Sequence, residues 1–399
     1  MNRRPLALPA PVVAILALSL LGGCPKSSNQ RIDDAAKKGP KAPVRLPPVS
    51  QDALREFERG MAALRLASRK PSPDAYEKAK ERLQAAVELE AKLWEAWHNI
   101  GIVHYRQGDD GEAAQAFSKA LEINPAHIES VLARAEAHRR AGKIKAARSD
   151  YEKAVGQSDD NTAQKRNATA RLASLLRESR QYDDALAVIR NTLRTSGANA
   201  KVYVELGMLY MAQGRDELAD LVLAKAIELD AKEPSIYNAQ ALLALSRGKS
   251  QDAFDRFDYA TSLAPNYVDA RFNKAKVLID VGDYKRAESE LQKVVEASPD
   301  DLDALLALGL AQRGTGEFKK AKGTWDKVVA RAPMRSHLRA DAMYNLALLQ
   351  FNFLEDEKAA ATAFAAFLAQ APIDHPKRKD AEEKQKELGV SAPAEETTP

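Results

Sequence analysis

The chain has 399 residues and carries 60 lysines and arginines against 56 aspartates and glutamates. A balance this even argues against a nucleic-acid binder, which normally shows a basic stripe or tail. Aromatic residues are only 6% of the chain and its single cysteine makes no internal bridge, so an aromatic-rich β fold and a disulfide framework are both disfavoured.

The amino terminus reads as an export signal. Arg3 and Arg4 precede an uncharged, mostly aliphatic run from Leu6 to Leu21. That run falls short of the roughly 20 residues a membrane-spanning helix needs, and Pro9 and Pro11 interrupt it. It ends in Leu21-Gly22-Gly23-Cys24, which resembles a bacterial lipobox, the signal for diacylating a cysteine and cleaving before it. The resemblance implies a signal peptide over 1–23, cleavage between Gly23 and Cys24, and Cys24 as a lipid-modified first residue. Two or more acyl chains hold a protein stably at a bilayer, where one does so only marginally. Pro25 follows the cysteine, where an aspartate often signals inner-membrane retention. By the same analogy, the expected location is the periplasmic face of the outer membrane.

Residues 24–50 contain five prolines and no aliphatic periodicity, which predicts a disordered tether after the lipidated cysteine. Its upper reach is on the order of 90 Å. Residues 51–92 then look like a degenerate helical unit. Phe57, Ala79, Leu83 and Ala86 occupy helical spacings, with a turn lengthened by Ser68–Pro73.

From 93 to 373 the chain repeats eight times. Small residues recur at Gly101, Ala135, Ala173, Gly207, Ala241, Ala275, Gly309 and Ala347, 34 or 38 residues apart. A second series, Ala113, Ala147, Ala185, Ala219, Ala253, Ala287, Ala321 and Ala360, follows each of these closely. A bulky residue comes four positions after each alanine: Phe117, Tyr151, Ile189, Leu223, Phe257, Leu291, Trp325 and Phe364. Small residues let two antiparallel helices approach, and the bulky one fills the space toward the next pair. Gly108, Gly142, Gly214, Gly248, Gly282 and Gly316 sit where the first helix of each pair should end.

The pattern resembles the tetratricopeptide repeat (TPR), and Trp97, Ile100-Gly101, Ala113, Phe117, Ala120 and Pro125 carry the match in the first full unit. The resemblance implies an all-α, right-handed superhelical solenoid of stacked helix–turn–helix units. The two 38-residue spacings place insertions near 158–165 and 334–338. A charged helix over 374–389 is expected to cap the last unit, and 390–399 reads as a disordered tail.

Candidate chemistry is sparse. His104 and His138 share a repeat position, but no cysteine or nearby carboxylate completes a ligand set, so they read as packing residues. The other histidines, His98, His127, His337 and His375, look dispersed. Gly314–Phe318 ("GTGEF") lacks the strand of a phosphate loop, and Gly316 is the recurring turn glycine. No nucleophile or metalloprotease motif appears, so no enzyme activity, metal or cofactor is expected.

What remains is the concave face, which in TPR proteins holds partners. The resemblance places Tyr105, Arg106, Arg139 and Arg140 on its early, basic part. Met208, Met211, Leu242, Leu245, Phe272, Ile279, Tyr344 and Phe351 fall on its later, apolar part. The expected role is a membrane-anchored scaffold that binds cell-envelope proteins while a larger machine assembles. The chain looks like the TPR lipoproteins of gliding-motility complexes, less like the pilotins of type IV pilus secretins. A rival class, an enzyme or ligand-binding protein of wall or polysaccharide metabolism, would require a convergent polar pocket on that face.

Overall fold

The computed structural model describes residues 50–69, 72–159, 162–353 and 356–389. Gly23, Cys24, the rest of the expected signal, nearly all of the tether and the tail 390–399 lie outside the described residues. Every regular element among the described residues is an α-helix, nineteen in all. A first pair, α1 (Gln51–Arg69) and α2 (Pro73–Leu89), is followed by eight hairpins. The first four are α3 (Trp94–Gln107) with α4 (Asp110–Ile123), α5 (Ile128–Arg140) with α6 (Ile144–Gln157), α7 (Ala163–Glu178) with α8 (Tyr182–Ser196), and α9 (Ala200–Ala212) with α10 (Asp216–Leu229). The next four are α11 (Pro234–Ser246) with α12 (Ser250–Leu263), α13 (Val268–Asp280) with α14 (Tyr284–Ala297), α15 (Leu302–Gly314) with α16 (Phe318–Arg331), and α17 (His337–Asn352) with α18 (Glu357–Gln370). A last helix, α19 (Arg378–Glu387), ends the array. No helix among the described residues is long and apolar enough to cross a membrane.

The turns follow from the sequence. Gly108 closes α3 in the left-handed region (φ 86°), and the amide of Asp109 donates back to His104 O at 2.9 Å. This bond satisfies a carbonyl that the end of a helix leaves open. The third repeat has no glycine here, and Arg180 adopts the same conformation (φ 57°) with the same backward bond, Gln181 N to Leu176 O at 2.7 Å. A non-glycine residue pays roughly 1 kcal/mol or more for that conformation. The two 38-residue spacings lengthen the first helices. α7 and α17 run to 16 residues, where α5, α9, α11, α13 and α15 have 13. The three residues added to each helix are close to one helical turn, so the inward face is kept.

The two small-residue series and the bulky series meet in the core. All eight alanines of the second series are fully buried, as are Phe117, Ile189, Leu223, Phe257, Leu291, Trp325 and Phe364. Where the first-series residue is glycine, the bulky side chain lies on the helix backbone itself. A Cβ added to Gly309 would stand 2.3 Å from Trp325 Nε1, and one added to Gly101 would stand 2.6 Å from the Phe117 ring.

First helices also touch the first helices of neighbouring hairpins, as α7 does α9 and α9 does α11, so they line a common inner face. The array curls far enough to meet itself. A Cβ on Gly108, after α3, would lie 3.9 Å from Asp300 Cγ, in the loop before α15. Asp300 is anchored there by Arg331, at 3.1 Å. About six repeats therefore bring the solenoid round by one turn, and its inner face becomes a channel rather than an open trough.

Candidate functional site

Two clefts open on the inner face. The first measures 590 Å³ and is bounded by α3, α5 and α7, with His98, Tyr105, Leu132, Glu136 and Arg171 among its walls. The second measures 320 Å³ and is bounded by α7, α9, α11 and α13, with Arg177, Glu205, Met208, Leu242, Asp269 and Phe272 among its walls.

Arg171 in the first cleft, and Arg139 and Arg140 near it, are already engaged. Arg139 Nε bonds Glu136 Oε2 at 3.0 Å, and its guanidinium also reaches Glu178 at 3.7 Å. Arg171 takes the other oxygen of Glu136. Burial works to raise the Glu136 carboxyl, but Arg139 and Arg171 hold it below the usual range. Arg140 pairs with Asp110 at 3.1 Å and lies over the Tyr105 ring, 4.1 Å from its centroid. Arg106 is exposed. The early groove thus carries arginines without carrying much free positive charge.

The second cleft is of another kind. Its walls combine half-buried Met208, Leu242 and Phe272 with the carboxylate of Glu205. Glu205 Oε2 is shut off from solvent and has no hydrogen-bond partner, and neither has Arg177 Nε. Burial pushes the Glu205 carboxyl up to about 7, with Glu178 adding to the shift and Arg177 opposing it. Asp269 is likewise held above its usual range, by the protein around it and by Asp301. On the same cleft, the Asn273 side-chain amide donates to Asn238 Oδ1 at 3.1 Å.

Family models described as tetratricopeptide repeat match residues 94–127, 176–243, 244–298, 278–341 and 341–372, together more than half of the chain. The chain belongs to the tetratricopeptide-repeat family. It is 27% identical over 243 residues to superkiller complex protein 3 of Mus musculus, a match covering 59% of this chain and 15% of that one. It is 22% identical over 251 residues to the BBSome complex member BBS4 homolog of Drosophila melanogaster, covering 61% and 52% respectively. The TPR chain thus spans at most about half the length of these two relatives. A monomeric variant of IFIT1 superimposes with a TM-score of 0.50 at 14% identity, covering 90% of this chain and 91% of that one, which speaks to the fold alone.

Within the TPR frame, Met208, Met211, Leu242, Leu245, Phe272 and Ile279 are each half-buried along the inner face. Tyr344 departs from the expectation. It is buried, its hydroxyl bonds Asp380 of α19, and Phe364 and Phe367 pack beside it. Phe351 stays half-buried, with Lys384 of α19 over its ring at 5.2 Å. The last helix therefore closes the carboxyl end of the groove over both residues.

The histidines are also less scattered than the sequence suggests. His104 sits 3.5 Å from Asp109, and His138 lies 3.9 Å from Asp150, which Arg134 already holds in a two-point contact. His98 and His127 both bond Ser130 Oγ, at 2.8 and 2.7 Å, and His337 stacks on His375 at 5.4 Å. Ser130 is fully buried, and its own amide donates to His127 Nδ1, so the cluster reads as a cap between repeats. Ser130 Oγ thus bridges the two rings, and His127 Nδ1, which accepts from the Ser130 amide, carries no proton. Among the described residues, no group of three or more His, Cys, Asp and Glu could hold a metal ion.

Burial, and then the neighbouring His127, push His98 down to about 4. Its depressed value means that the unfolded chain binds the proton first, so stability is full above pH 6.5 and falls as the pH drops toward 4. Over that window the loss assigned to His98 is about 2 kcal/mol. His98→Gln should shrink the difference between denaturation midpoints at pH 7 and pH 4.5. An unchanged difference would refute the assignment.

Proposed function

We propose that this TPR protein is a lipid-anchored scaffold of the cell envelope whose inner channel captures a segment of a partner protein during assembly of a larger machine. The observation that carries the reading is the second cleft. Half-buried Met208, Leu242 and Phe272 there surround a polar group with no partner of its own. Apolar surface of that kind, interrupted by a few placed polar groups, suits a bound segment, and methionine adapts to it. The lipobox-like Leu21–Cys24 supports the anchor, and the resemblance to gliding-motility TPR lipoproteins supports that class of machine. A catalytic role finds no comparable support: Ser130, which lies between two histidines, is sealed from solvent.

Crosslinking in intact envelopes, followed by mass spectrometry, tests the capture. A discrete protein partner is expected with the native chain, and Phe272→Glu should cut its recovery by about tenfold or more while helicity is retained. No partner at all, or an unchanged partner with Phe272→Glu, overturns capture in this channel. Cys24→Ser tests the anchor separately: the product should leave the membrane fraction, and unchanged attachment overturns the lipidation.

A further inference from the structure

The second cleft says more about the captured segment, on the reading of the groove given above. Glu205 is the only charged residue between Val202 and Ala212, in a helix that is otherwise apolar or aromatic along this stretch. Its Oε2 is excluded from water and bonded to nothing. Burying a carboxylate without a donor is unfavourable, so the free protein is worse off for having it.

The cations around it do not supply what is missing. Arg177 gives one guanidinium nitrogen to Ser174 Oγ at 3.0 Å and its unpartnered Nε makes no bond to Glu205, while Lys201 of α9 itself reaches Glu233 at 3.7 Å. Arg139, which faces Asp269 across the channel, is already taken by Glu136 and Glu178. Glu205, Glu178 and Asp269 together outweigh Arg177 in the cleft itself. The shape agrees with the charge. Met208, Leu242 and Phe272 form an apolar wall beside the unpartnered carboxylate of Glu205. A lysine side chain has that form in reverse, a hydrocarbon stem ending in a compact charge with three donors. An arginine fork calls for two oxygens side by side.

We propose that this cleft is a lysine subsite: it receives the side chain of one lysine of the bound segment, with its stem against Met208, Leu242 and Phe272 and its ammonium on Glu205. The aspartate at 269, open to the channel, adds attraction at the mouth.

A random dodecapeptide phage library selected on the detergent-solubilised full chain tests the subsite. Selected peptides should share a lysine at one fixed position. Resynthesised with norleucine there, they should bind at least about tenfold more weakly. With Glu205→Gln the same peptide change should alter affinity less than about threefold, since the counter-charge is gone. Peptides that bind without a positional lysine, or whose lysine is indifferent to Glu205→Gln, overturn the subsite and leave capture in the channel standing. Arginine enriched as strongly as lysine overturns the assignment of a primary ammonium. Selection of no peptide overturns the subsite together with the reading of the groove on which it rests. The norleucine comparison is made on the native chain, so it decides the matter even if the Glu205 variant folds poorly.

Discussion

Gly309→Ala is expected to destabilise the α15–α16 hairpin by about 2–3 kcal/mol, although the same change in an exposed helix usually stabilises it. Alanine gains up to roughly 1 kcal/mol over glycine in a helix interior through lower conformational freedom. At Gly309 the clash outweighs that gain. The new methyl would stand 2.3 Å from Trp325 Nε1 and 2.6 Å from its Cε2. The indole has no room to retreat, because Trp325 is fully buried and its Nε1–H is committed to Leu306 O at 3.1 Å. Trp325→Phe should recover part of the loss in the double variant, with a coupling of about 1–2 kcal/mol. Gly323→Ala, on the exposed face of α16 where nothing lies within 4 Å, serves as the opposite control and should stabilise by about 0.5–1 kcal/mol. Urea denaturation of the four variants decides it. Equal effects at 309 and 323 would show that the helices slide apart to admit the methyl.

This interlock was legible in the sequence, because the same spacing recurs in seven of the eight repeats. Gly101 precedes Phe117, Gly207 precedes Leu223 and Gly309 precedes Trp325 at one interval, and a residue pair repeated at fixed distance reports a contact. The turns were legible for the same reason, even where Arg180 stands in for glycine, because its neighbours keep the register. The closure of the superhelix was not. Asp300 reaches Gly108 only because a small rotation accumulates over six repeats, and no local pattern encodes that sum.

The site was legible in part. Positions that face inward are set by helical period, which places Met208, Leu242 and Phe272 on the channel. Tyr344 follows the same period and still lies buried, because α19 folds over it and Asp380 takes its hydroxyl. The pairing of His98 with His127 depends on α3 and α5 lying side by side, which their separation in sequence conceals. Glu205 could have been found. A lone charge in the run from Val202 to Ala212 conflicts with its surroundings, and such conflicts concentrate at sites of function.

Glu205→Gln is accordingly expected to stabilise the free protein at pH 8 by about 2–3 kcal/mol and to leave it nearly unchanged at pH 4.5. The sign follows from where the proton goes. Burial raises the folded-state value of Glu205 from 4.5 to about 7, with Glu178 on α7 reinforcing the shift and Arg177 on the same helix opposing it. Asp269 on α13, Tyr267 just ahead of it and Glu233 ahead of α11 add no positive charge to the cleft. Between pH 4.5 and 7 the folded chain therefore holds a proton that the unfolded chain has lost, and stability declines as pH rises through that window. Above about 7 the decline stops. A neutral glutamine of the same size meets the same unpartnered surroundings but never ionises, so the variant escapes the decline and matches the native chain where Glu205 is protonated. Taking the difference between the two proteins at each pH removes the other titrating groups, His98 included, whose effect runs the other way. Hydrogen exchange of the α9 amides reads this local term without requiring the whole array to unfold in one step. A stabilisation at pH 8 that persists undiminished at pH 4.5 would mean that the carboxyl's shape, not its charge, is what the cleft opposes.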